Sequence, residues 1–326
     1  MARYWQNMSF KNPQKILFFR FDDCLGDSII HSFFLRELKK LFPQASITVT
    51  TFAPSQHFFS HHTAIDHIIT LPPLGPVTSS HRYLRWKVIL ALLKMLLYNW
   101  RKKYDLTILN VTLPTCLNSF YCHLFFQSVA TKFDYSKHIT FSYVSLLQKL
   151  GAKEVDTSYL FSLNQENIIA AQNFLRENSL LSNPFWVLNP VGSLPSKQLS
   201  LYQLQFIIEK LRQANFQTVL LDYKDQFTNF PDTGIIRYTS KSVFETAAII
   251  KQSAGVISTD TGIVHIADSF NKKLLVLYTA DSRGPYKRSF WASRNYPANF
   301  IQSKNTVASI STQEIDTQLK KILSTH

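Results

Sequence analysis

The sequence predicts an α/β protein of two Rossmann-like halves, with parallel sheets facing one central cleft, and three observations carry that prediction. Short apolar runs of strand length alternate with segments of helical spacing. The alternation occurs twice, on either side of a polar stretch from Asn164 to Asn183. A chain of 326 residues also exceeds what one compact core usually holds. The expected division is an N-terminal domain of residues 1–170 and a C-terminal domain of residues 171–326.

In the first half, Lys15 to Phe21 is an apolar run of strand length, and a turn follows from Asp22 to Gly26. Asp27 to Leu41 has helical spacing, with Ile30, Phe33, Phe34, Leu38 and Leu41 on one stripe, and Pro43 closes it. Ser46 to Thr51 is rich in β-branched residues and reads as a strand. Ile65 to Leu71, stopped by Pro72 and Pro73, and Tyr104 to Val111 are further strands. Such alternation implies a parallel sheet covered on both faces.

The second half begins with a helix from Gln165 to Asn178, then Pro184 and a strand from Phe185 to Asn189. Leu201 to Ala214 is an amphipathic helix and Phe216 to Asp222 a strand. Ser242 to Gln252 is a helix, Ala254 to Ser258 a strand, Thr261 to Phe270 a helix and Lys273 to Tyr278 a strand.

Composition narrows the function classes. Hydrophobic residues at 45% and charged residues at 17% indicate a globular chain, not a disordered one. The formal charge of +14 favours anionic partners or serves solubility, without choosing between them. Cys24, Cys116 and Cys122 form no Cys-x-x-Cys pair, as expected of reduced thiols in a cytoplasmic protein. The run Ile16 to Phe21 contains Arg20 and is too short for a secretory h-region. Val88 to Tyr98 contains Lys94 and falls short of the ~20 residues that span a bilayer. No Gly-x-Gly-x-x-Gly follows any strand, which argues against a nicotinamide dehydrogenase, and no nucleic-acid-binding motif is evident. His57, His61 and His62 lack a third ligand of suitable spacing and read as surface histidines, so no metal site is expected.

Three segments can carry chemistry. Leu25-Gly26-Asp27-Ser28 follows the first strand, where open parallel sheets bind ligands. Gly26 permits close backbone approach, and the Asp27 carboxylate can take a proton from a hydroxyl. An Asp in a first helical turn also stabilises the helix by itself, so both roles stand. The second segment, Asn189 to Lys197, runs from a strand into a Gly192-Ser193 turn. Its N–H groups, the Ser193 hydroxyl and Lys197 suit a diphosphate, although the P-loop spacing is absent and an ordinary surface loop is the plainer reading. In the third, Asp260-Thr261-Gly262 ends a strand and opens a helix whose N–H groups make an anion site, and Gly262 leaves room for phosphate oxygens. His265 lies one turn further on, either orienting the loop or packed in the core.

In this order and spacing, the three segments resemble the signatures of glycosyltransferase family 9, the ADP-heptose:lipopolysaccharide heptosyltransferases. The segment Phe244 to Val256 is also similar to the family. The resemblance implies a GT-B fold, with an acceptor-binding N-terminal domain and a nucleotide-sugar-binding C-terminal domain. It implies an inverting, metal-independent transfer without a cofactor, from ADP-heptose to a lipid-linked core oligosaccharide, with nucleic acid not a partner. The family's base maps onto Asp27, with Gly26 beside it on the acceptor side. Its donor contacts map onto Gly192, Ser193, Lys197, Asp260, Thr261, Gly262 and His265, with Lys197 also opposing leaving-group charge. Leu199 stands where members often carry Trp. Thr279-Ala280-Asp281-Ser282 replaces a common Gly-Pro-Thr, and Tyr223-Lys224-Asp225-Gln226 lacks a usual glycine. These departures fall on the donor side and keep open another nucleotide sugar or a binding-only relative. Arg82 and Arg85 open a basic segment, 82–103, suited to an acidic acceptor or to the inner face of the inner membrane. A helix packed on the sheet, with its charges solvated, is the alternative.

Overall fold

The structure, a computed structural model, describes residues 12–20, 24–71, 90, 97, 104–110, 128–131, 133–222, 225–227, 230, 234–280, 288–294 and 299–324. Arg82, Arg85, Cys116, Cys122, Tyr223, Lys224, Asp281 and Ser282 lie outside the described residues. The chain divides into two units. The first comprises the described residues up to Asp134 together with Ile139–Ser158, and the second comprises Tyr135–His138 and the chain from Tyr159 onward.

The first unit holds a five-stranded sheet of β1 (Lys15–Arg20), β2 (Ser46–Phe52), β3 (His67–Leu71), β4 (Leu106–Asn110) and β5 (Ser128–Ala130). Their order is β3-β2-β1-β4-β5, with every pairing parallel. Helices α1 (Leu25–Leu41), α2 (Ala53–Ser60) and α3 (Ile139–Lys149) belong to this unit. The burial of β1 and β4 explains their apolar sequences, because a strand covered on both faces has no solvent side for alternation. Ile30, Phe33, Phe34 and Leu38 of the α1 stripe are all buried. Full burial of such side chains stabilises by ~1.5–3 kcal/mol each, which fixes the face that α1 presents to the core.

The second unit holds six strands: β6 (Phe185–Asn189), β7 (Gln217–Leu221), β8 (Ile236–Tyr238), β9 (Gly255–Thr259), β10 (Lys273–Tyr278) and β11 (Phe300–Gln302). The order is β11-β10-β9-β6-β7-β8, again parallel throughout. Helices α4 (Gln165–Glu177), α5 (Leu201–Gln213), α6 (Val243–Gln252), α7 (Gly262–Ser269) and α8 (Thr312–Ser324) belong to it. Side-chain caps open four of them. Asn164 accepts from Asn167 N, Ser200 and Gln203 form a capping box, Ser242 accepts from Glu245 N, and Thr261 accepts from Ile263 N. One core cluster joins Trp186, Leu188, Leu204, Ile207, Leu275 and Leu319. Gly255 is required there because a Cβ would fall 2.5 Å from the Trp186 indole.

The two sheets bear out the α/β, Rossmann-like architecture. Each is doubly wound. In the first unit the strand order reverses between β1 and β4, and in the second between β6 and β9. Ligands of such sheets bind beyond the carboxyl ends at that reversal. Two details differ from the sequence expectation. Helix α1 starts at Leu25, so Asp27 is the third residue of its first turn. His62 is buried, not superficial: its Nε2 donates to the Ser32 carbonyl at 3.0 Å, and Ala64 N donates to its Nδ1 at 3.2 Å. The residue follows α2 and turns inward beneath α1, and burial lowers its pKa.

Candidate functional site

At the switch point of the first sheet, Arg20 ends β1 directly opposite Asn110, which ends β4. Arg20 is fully buried. Its Nη1 donates to the Ser28 hydroxyl at 2.8 Å, its guanidinium lies 4.7 Å from the centre of the Phe59 ring, and its backbone exchanges bonds with Thr50 Oγ1 at 2.9 and 3.1 Å. Ser28 directly follows Asp27, so the arginine anchors the turn that carries the carboxylate. One turn along, His31 is buried with its Nε2 2.6 Å from the Tyr143 hydroxyl and 3.0 Å from Asn110 Nδ2. Tyr143 donates to Asn110 Oδ1 at 2.8 Å. Burial, with the Arg20 charge adding, depresses the His31 pKa. Burial raises that of Tyr143, with Asp27 pushing it further up and Arg20 pulling it down. Asp27 is half-buried and its field reaches this network. The sequence signal for Arg20 is a charge that ends the apolar run Ile16 to Phe19 at the carboxyl end of the strand.

At the switch point of the second sheet, Asn189 ends β6 opposite Ser258 of β9. The chain then turns through Gly192 and Ser193 into a short 3-10 turn, Pro195–Lys197. Gly192 lies so close to that turn that a Cβ would meet Lys197 Cβ at 2.4 Å and Lys197 O at 2.8 Å. Lys197 Nζ reaches Asp260 Oδ2 at 2.8 Å, joining the turns after β6 and β9. Thr261 caps α7. Asn189 Nδ2 donates to Ser258 Oγ and Thr261 Oγ1, both at 3.0 Å. Leu199 is part of the core cluster, and its N–H donates to the Pro190 carbonyl at 3.0 Å.

The second sheet thus gathers Gly192, Lys197, Asp260, Thr261 and Gly262 at the ends of two adjacent strands. Ser193 is exposed on the same turn. His265 lies inside, 7% exposed, with its ring edge-on to Tyr159. Burial lowers its pKa to about 4, Asp260 opposing and His138 reinforcing the shift. At neutral pH it therefore brings no positive charge to an anion. The cation of this site is Lys197, supplemented by the N–H groups of the α7 first turn.

A doubly wound parallel sheet with a lysine and a capped helix N-terminus at its switch point defines a Rossmann-type class of protein. The chain belongs to glycosyltransferase family 9 (heptosyltransferase), whose model matches residues 118–308. Among curated proteins it is similar to the putative lipopolysaccharide heptosyltransferase 4 of Escherichia coli K12, 23% identical over 192 residues. That match spans 57% of this chain and about half, 52%, of the relative. Among solved structures, the family 9 glycosyl transferase from Veillonella parvula superposes with a TM-score of 0.73 at 18% identity, covering 97% of this chain and 98% of that one. The E. coli ADP-heptose lps heptosyltransferase II superposes at 0.65 and 16% identity, with coverage of 95% and 98%. Among the described residues no helix is long and apolar enough to cross a membrane.

Proposed function

We propose that this chain transfers a heptose, or a related sugar, from an ADP-sugar to the inner core of lipopolysaccharide or lipooligosaccharide, with inversion and without a metal. The observation that carries the reading is the union of Lys197 with the Asp260–Thr261 turn at the switch point of the second sheet. An ammonium has three donors, and the bond to Asp260 leaves others to meet a diphosphate. The α7 N–H groups and the Thr261 hydroxyl supply further donors to the same charge. The sequence has no Asp-x-Asp diphosphate–metal motif, and this set takes the cation's place.

On the acceptor side the reading gives Asp27 the role of base. Its carboxylate takes the proton of an acceptor hydroxyl, whose oxygen forms a bond to the anomeric carbon. The bond from that carbon to the diphosphate oxygen breaks in the same displacement, and ADP leaves with its charge against Lys197. Gly26 lets the acceptor approach the helix backbone. Arg82 and Arg85 would meet acidic groups of a lipid-linked acceptor, which sets the work of a cytoplasmic chain at the inner face of the inner membrane. Family membership and an ADP-heptose-named structural neighbour support the donor. The departures at Leu199 and Thr279 favour another nucleotide sugar as the second reading.

The test is ADP release from ADP-heptose with heptose-deficient lipopolysaccharide. The unaltered chain should turn over, and a folded Asp27→Asn variant should lose ~10²–10⁴-fold in kcat. Release only with a different nucleotide sugar would change the donor. Silence with every donor and acceptor would refute transfer.

A further inference from the structure

The Asn189 amide bonds at once to β9 and to the cap of α7, and hydrogen-bond accounting around it has a consequence for ligand choice. Ser258 Oγ donates its single proton to the Thr259 carbonyl at 2.7 Å. It can therefore only accept from Asn189, and this fixes Nδ2 as the amide atom facing both hydroxyls. Thr261 Oγ1 has two lone pairs, and both are engaged. One accepts from Asn189 Nδ2 at 3.0 Å, and the other accepts from Ile263 N at 3.3 Å in the helix cap. Its own proton is left with Ser258 Oγ at 3.4 Å, a distance at which a hydrogen bond is weak. A better acceptor arriving at the turn takes that proton.

We propose that Asn189 is a positioning residue that holds the Thr261 hydroxyl as a hydrogen-bond donor, so that the turn selects an acceptor-only ligand, a phosphate oxygen of the nucleoside diphosphate. The proposal rests on the reading of this turn as the diphosphate site. A group that can only donate, such as an ammonium, gains less there, because the Thr261 lone pairs are already used. Asn189 is 8% exposed, so it acts through Thr261 and not by broad contact with the ligand.

The experiment is calorimetric titration of the full chain with ADP and, separately, with adenosine, which lacks the phosphates. Asn189→Leu removes the donor without adding charge. It should bind ADP about tenfold more weakly, the scale of one hydrogen bond to a charged group, with adenosine affinity unchanged. Asn189→His, which restores an N–H of similar reach, should recover most of the loss. On a Thr261→Val background, Asn189→Leu should cost nothing further. Should the leucine variant fail to fold, Asn189→Asp replaces it, because its carboxylate would draw the Thr261 proton inward. The Thr261→Val background then separates that effect from charge repulsion, which would persist there. Unchanged ADP affinity in the variant, a parallel loss for adenosine, or an undiminished cost on Thr261→Val would each overturn the proposal while leaving the diphosphate site standing. Failure of the unaltered chain to bind ADP would sink the site and the proposal together.

Discussion

Lys197 and Asp260 form a 2.8 Å ion pair between the turns that follow β6 and β9, and each side chain is about one-sixth exposed (16% and 17%). The pair is shielded enough for its geometry to matter and open enough for a ligand to reach it. On the proposed reading, Lys197→Met removes the cation that meets the leaving diphosphate. We expect kcat to fall ~10²–10³-fold, the scale seen when one stabilising donor is lost at a developing charge. Asp260→Asn keeps Lys197 but frees its side chain, so the loss should be smaller and lie mainly in the KM for the donor. Steady-state kinetics on the two folded variants checks the split, and equal kcat losses would contradict it.

The His31–Asn110–Tyr143 triangle underlies the helix that carries Asp27. Tyr143→Phe deletes a fully buried hydroxyl and removes its 2.8 Å hydrogen bond to Asn110 Oδ1. Leaving one buried acceptor unpaired costs about 1–3 kcal/mol, which should appear as a lower urea midpoint with an unchanged slope. A midpoint equal to that of the unaltered chain would show that the triangle contributes nothing to stability.

Much of this was legible from residue types alone, for reasons that differ by element. Strands β1, β4, β6 and β9 are buried on both faces, and continuous apolar runs announce them. The Asp260-Thr261-Gly262 turn announces itself because Thr is a cap residue and the strand before it is apolar. The spacing of Ile315, Leu319 and Ile322 in α8 is helical in the sequence itself. The three-residue strands β5, β8 and β11 are too short to carry a period. Arg20 facing Asn110, and Asn189 bridging Ser258 to Thr261, depend on which distant strands become neighbours, and no local spacing encodes that. The sequence offers Lys197 as a candidate phosphate ligand but does not encode its pairing with Asp260. The inward turn of His62 was missed because three nearby histidines look polar until α1 covers one of them.

Two glycines should separate function from stability. A Cβ at Gly192 would overlap Lys197 Cβ and its carbonyl, at 2.4 and 2.8 Å, in a turn outside the core cluster. Gly192→Ala should therefore displace Lys197, weakening ADP binding about tenfold or more while the melting temperature moves little. A Cβ at Gly255 would instead strike the buried Trp186 indole at 2.5 Å. Gly255→Ala should cost ~1–3 kcal/mol by overpacking and lower the melting temperature. Calorimetric titration and thermal melts on both variants give the comparison, and a reversed pattern would refute the placement of the two glycines.

His265 makes stability depend on pH in a stated direction. Burial holds its folded pKa at about 4, whereas an ordinary histidine titrates near 6.5. The unfolded chain therefore takes up a proton that the native chain refuses, and protons drive unfolding. The contribution is complete above the unfolded value and is lost as pH falls from about 6.5 towards 4. Between pH 7.5 and 5 this one group accounts for a loss of about 2 kcal/mol, from the ordinary 1.36 kcal/mol per unit of displacement. His138, also held at about 4 by burial with Arg294 adding, pushes the same way, as do the lowered His31 and His62. The informative quantity is thus a difference. Urea unfolding at pH 7.5 and pH 5 should show a smaller acid loss in His265→Leu than in the unaltered chain, by about 2 kcal/mol. An identical acid loss in both would mean that His265 takes up its proton as readily in the native chain as in the unfolded one, which would refute burial as the cause of its low pKa.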